Sequence, residues 1–172
     1  MRPTSAALPI AFVVLRVLTV LNWLFGAAIL ALLLAMFNEP WIVRAFKIDP
    51  AADTATLLTG MRAIAVLGLA AIPLNHLVLT RLAAMVGTVR SGDPFLAANG
   101  ARLQTIGWAL LALQLLSLSI AAIAEAVSSP AQPLDLDAGF SVAGWLAVLL
   151  AFVLARVFAE GAEMRDDLEG TV

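Results

Sequence analysis

Residues 17–37 read VLTVLNWLFGAAILALLLAMF, an apolar run broken only by Asn22. A helix needs about 20 predominantly apolar residues to cross the hydrocarbon core of a bilayer, and this run is long enough. It follows Arg2, so it must also be weighed as a secretory signal. A signal core is roughly 7–15 residues long and ends at a small-residue cleavage site. The run is longer and no such site follows it, so it reads as a retained span.

Three further windows have the same character. One lies between Arg62 and Arg81, with Asn75 and His76 near its far end; the others are Thr105–Ala124, carrying Gln114, and Ala138–Ala155. Unpaired backbone groups in lipid cost several kcal/mol, so each must be helical. With their flanks the spans cover residues 14–37, 58–80, 104–126 and 139–158, leaving a connection at 81–103 and a tail at 159–172. The predicted fold is all-α: a single integral membrane domain, a four-helix bundle with short up-down connections.

Composition agrees. The chain of 172 residues is 62% hydrophobic and 13% charged, with a mean hydropathy of +1.00. A soluble domain uses about 25% charged residues to cover its surface. The net charge of -2 offers no basic stripe to neutralise phosphates, which argues against direct nucleic-acid binding. Without cysteine there is no disulfide, thiol nucleophile or thiolate metal site.

Basic residues set the expected orientation. An even number of spans puts both termini and the middle connection on one side, with Arg2, Arg16, Arg81, Arg90, Arg102, Arg156 and Arg165; the other side holds Arg44, Lys47 and Arg62. The positive-inside rule makes the first side cytoplasmic. Trp41 and Trp145 then fall near the outer interface and Trp108 near the inner one.

The connections differ. Between spans one and two, Trp41, Ile42 and Phe46 suggest a short amphipathic piece before a turn at Asp49-Pro50. The proline-rich stretch from Ser128 reads as an irregular connector. On the inner side Leu79, Leu82, Ala83, Val86 and Val89 keep helical spacing past the membrane surface. Gly92 can end that helix, and Asp93-Pro94 can start the next. The tail keeps helical spacing too, with Phe158, Gly161, Met164 and Leu168 on one face and Glu160, Glu163, Asp166 and Asp167 on the other. Such an acidic helix can contact the inner arginines or remain solvated.

Ala143, Ala147, Ala151, Ala155 and Ala159, and likewise Ala27, Ala31 and Ala35, recur every four residues. Small residues so spaced let membrane helices approach closely. The stripes could form a homodimer face, although packing within the bundle is the simpler reading.

Polar groups inside the membrane are functional candidates by default. Asn22, Arg62, His76, Gln114 and Glu125 are those groups. Arg62 and Glu125 reach the same outer boundary, where they can pair or each meet the interface alone, Arg62 by snorkelling. Asn22 and Gln114 are deep enough to hydrogen-bond to one another. His76 or Asn75 can satisfy polar groups near Pro73, which frees a backbone carbonyl one turn earlier. A lone histidine without cysteine makes no convincing metal site. With no serine–histidine constellation, paired intramembrane aspartates or phosphate loop, the expectation is a non-enzyme without cofactors.

Gly92-Asp93-Pro94-Phe95, followed by Asn99, Arg102-Leu103 and Ile106-Gly107, resembles the signature of a known family, and Val157-Phe158, Gly161, Met164, Asp167 and Thr171-Val172 resemble its end. That family comprises small bacterial membrane proteins catalogued as domain of unknown function 2975. The resemblance runs from span two to the C-terminus, while span one fits by position only; Gly100 departs from the pattern and weakens the helix there. It implies a multi-pass protein of the bacterial cytoplasmic (inner) membrane. Because members are often encoded beside a small helix-turn-helix transcription regulator, it also implies a regulatory protein that binds or sequesters that partner. Asp93, Pro94, Phe95, Asn99, Arg102 and Met164 are the residues such a partner would meet. The alternative is a small transporter or channel subunit, which requires Asn22, Arg62, Gln114 and Glu125 to converge on one water-filled cavity.

Overall fold

The computed structural model describes residues 7–48, 53–90, 96–130 and 132–169. They form α1 (Ala7–Ala35), α2 (Glu39–Ala45), α3 (Thr54–Arg90), α4 (Ala97–Val127) and α5 (Val142–Glu169). Among the described residues there is no strand beyond one isolated bridge, Ser129 to Gln132.

Four of these helices are long and apolar enough to cross a membrane, with mean hydropathies of 1.9–2.3 over their best windows. Only 6–17% of the residues in those windows are buried by the protein itself. A soluble protein does not leave so much contiguous apolar surface uncovered; here the bilayer covers it. The chain is a multi-pass membrane protein.

Packing follows chain order: α1 lies on α3, α3 on α4 and α4 on α5, with no other pair in extended contact. Neighbours run antiparallel. Along α1 and α3, Arg62 meets Met36, Asn22 meets Ile72 and Arg90 meets Phe12. Along α4 and α5, Gly144 faces Gln114, Gly107 faces Phe152 and Gly100 faces Ala155 and Ala159. The bundle is therefore a row with α3 and α4 at its centre.

Close approach explains Gly100. A Cβ there would sit 3.2 Å from the Ala155 carbonyl oxygen and 3.3 Å from the Ala159 nitrogen. The residue that looks like a weak helix former is the one that lets two backbones meet. Ala151, Ala155 and Ala162 are buried at the same interface, so this part of the α5 stripe serves intramolecular packing. Ala143 and Ala147 are exposed, as are Ala27 and Ala31 on α1.

The short helix α2 forms beside the start of α3. Asn38 accepts a 3.4 Å hydrogen bond from the Trp41 amide and Pro40 occupies the first turn, both ordinary helix-start devices. Ile42, with no exposed surface, packs with Met36, Ile48, Leu57 and Leu58. This small core ties α2 to the ends of α1 and α3. Trp41 and Phe46 are each about half exposed. At the opposite end, α3 continues to Arg90 without interruption at Pro73. Thirty-seven residues make a helix about 55 Å long, well beyond the ~30 Å hydrocarbon thickness.

Candidate functional site

The end of the bundle opposite α2 is built around Asn99, which is 1% exposed. Thr88 Oγ1 donates to the Met85 carbonyl at 2.8 Å, leaving its lone pairs for the Asn99 side-chain amide, which donates at 2.9 Å. Asn99 Oδ1 accepts from Arg102 Nη1 at 2.8 Å. The last turn of α3 is thus fastened to the first turn of α4, with Gly100 placing α5 directly alongside. Asn99 is an internal fastener, so a partner would reach it only through the half-buried Arg102. Asp93, Pro94 and Phe95 lie outside the described residues.

Around this junction the exposed side chains are mixed. Met164 is 64% exposed, turned away from the buried line that passes through Ala162. Arg156 donates to Glu160 at 2.6 Å, with both side chains largely in solvent, a pair of small energetic weight. Glu163 is exposed. On the α1 side, the Arg16 and Arg90 guanidiniums lie 5.7 Å and 5.9 Å from the Phe12 ring centroid.

The intramembrane polar residues do not converge. Asn22 donates to the Ile72 carbonyl at 3.0 Å, and the next residue, Trp23, donates through Nε1 to His76 Nδ1 at 3.2 Å. The His76 ring stands edge-on to Trp23. The carbonyl immediately before Pro73 is thus met from α1, by Asn22. Gln114 sits instead between α4 and α5, its amide filling the space that a side chain at Gly144 would take. A hydrogen bond between Asn22 and Gln114 is not formed, because α3 stands between their helices.

Arg62 and Glu125 do not pair either. Arg62 Nη2 donates to the Met36 carbonyl at 2.8 Å and reaches Glu39 at 3.3 Å, with its guanidinium 5.5 Å from the Phe37 ring centroid. Its Nε is buried without a partner. Glu125 is exposed. Sequence reasoning missed Glu39 because α2 had to be folded back onto α3 before it came within reach. Among the described residues no group of His, Asp or Glu could hold a metal ion.

Between α1, α3 and α4 lies a trough of about 650 Å³, apolar along almost its whole length. Ser117, on α4, fixes the strap at its end: its Oγ accepts from the Gly139 amide at 3.0 Å and donates to the Gly139 carbonyl at 3.2 Å. Gly139 has φ +120°, a conformation open to glycine and strained for other residues. Ser117 is a residue that sequence reasoning passed over, since one serine in an apolar run carries no distinguishing signal.

A family model described as "Protein of unknown function (DUF2975)" matches residues 51–172. The chain belongs to this family. The match takes in α3, α4 and α5 and therefore the whole Thr88–Asn99–Arg102 junction; α1 and α2 precede it. No curated protein and no solved structure matches the chain.

Proposed function

We propose that this protein is a non-enzymatic regulator of the bacterial inner membrane that binds a cytoplasmic protein at the end formed by α3, α4 and α5. The observation that carries the reading is the Thr88–Asn99–Arg102 fastening. Such a clasp holds this end rigid, and a rigid surface loses less entropy on binding. The bias of arginines toward this end supports a cytoplasmic placement, with both termini on the same side. The partner implied by the family resemblance is a small helix-turn-helix transcription regulator, sequestered at the membrane. Lipid surrounds the rest. A transport role has no comparable support, because Asn22, Arg62, Gln114 and Glu125 share no path.

The test is extraction of the tagged protein from its native host in mild detergent, followed by mass spectrometry of what accompanies it. A helix-turn-helix protein that is lost on Phe95→Ala or Arg102→Ala is the expected result. Recovery of the chain without a partner, under conditions that keep it folded, would contradict the proposal.

A further inference from the structure

We infer that the trough between α1, α3 and α4 holds an acyl chain of a membrane phospholipid. Its floor is α3 at Ala65, Gly68 and Ala71, small residues that leave space where larger ones would fill it. The α1 wall extends from Phe25 to Met36, about 16 Å of helix. α1 and α4 do not pack along one another, so the side facing away from α3 opens laterally. The end nearest α2 is closed by Phe46 and by the strap of residues 134–138, which Ser117 holds in place through Gly139.

Size and chemistry choose the occupant. The trough offers about 650 Å³, ample for a hydrocarbon chain lying parallel to α3. Water would find few partners along the almost wholly apolar lining. The trough lies at hydrocarbon depth beside the apolar windows of α1, α3 and α4, where phospholipid chains are the abundant solute. Asn75 at one end and Asp137 at the other are the polar groups that bracket the apolar length. The chain would be held by dispersion contacts on three sides, against the single side that an ordinary boundary lipid meets.

The test uses the full chain in phospholipid nanodiscs doped with a phosphatidylcholine carrying a diazirine midway along one acyl chain. After irradiation, labelled residues are mapped by peptide mass spectrometry. The expected pattern is labelling concentrated at Gly68, Ala71, Leu116 and Ser117, and lost when Gly68→Phe fills the trough. Ala71→Leu serves as a milder filling and predicts partial loss. Labelling spread over outward-facing Val13, Leu24 and Leu149 without excess in the trough would overturn the inference. So would trough labelling unchanged in both variants.

Discussion

Asn22 on α1 hydrogen-bonds across to the backbone carbonyl of Ile72 on α3 at 3.0 Å, immediately before Pro73. With the bond from Trp23 to His76 at 3.2 Å, it is one of two polar ties at mid-helix, among the described residues, between α1 and its sole extended neighbour. Interhelical hydrogen bonds in membranes contribute about 0.6 kcal/mol on average and up to about 1.7. Asn22→Leu is therefore expected to lower stability by about 1 kcal/mol, measured by reversible unfolding in mixed micelles. Gln114→Leu, which breaks no interhelical hydrogen bond, is the comparison.

The clasp at Asn99 predicts a larger effect. Asn99→Ala removes the donor to Thr88 and the acceptor of Arg102 at a site that is 1% exposed. Leaving such groups unmatched costs about 1–3 kcal/mol. Asn99→Asp keeps an acceptor for Arg102 and should lose less. Hydrogen exchange at the last turns of α3 and the first turn of α4 will report the loosening locally.

Two glycines near the same end should respond in opposite directions. Gly100→Val drives a side chain into the Ala155 carbonyl and the Ala159 backbone; overpacking of this kind costs about 1–3 kcal/mol. At Gly87 a Cβ would meet nothing within 4 Å. Gly87→Ala is expected to stabilise the helix by about 0.5–1 kcal/mol. Thermal unfolding of the two variants side by side checks the pair.

The start of α3 carries a pH dependence. Thr56 Oγ1 donates to Asp53 at 2.6 Å and the Thr56 amide donates at 3.3 Å. These bonds, the side-chain one foremost, hold the Asp53 carboxyl below its ordinary value of 3.8. A depressed carboxylate stabilises the fold at pH above that ordinary value and loses the contribution as pH falls through the depressed one. The amides of Thr56 and Leu57 should therefore lose protection in acid, after correction for intrinsic exchange rates. Asp53→Ala should show low protection at every pH.

Much of this architecture was legible from local pattern. Twenty-residue apolar windows marked the four spans, and Leu79, Leu82, Val86 and Val89 kept their spacing through the part of α3 that leaves the membrane. Trp41, Ile42 and Phe46 announced α2 as a short amphipathic piece. Pairing across helices was not legible, since it depends on which helix lies beside which. Asn22 and Gln114 sit at similar depth, but the order α1, α3, α4, α5 puts α3 between them. Asn22 chose a backbone acceptor, and every residue has one, so no sequence signal marks it. Gly100 and Gly144 look like weak helix positions until the close approach of α5 to α4 is known.

The central claim is that the α3–α4–α5 end receives a cytoplasmic protein. The most direct measurement is photo-crosslinking in living cells of the native host, with a photoreactive amino acid placed at Met164, which is 64% exposed, and, as a control, at Trp41 on α2. The account predicts a discrete protein adduct from position 164, absent from position 41 and identified by mass spectrometry as a helix-turn-helix regulator. An adduct only from position 41, or none but lipid from position 164, would contradict it.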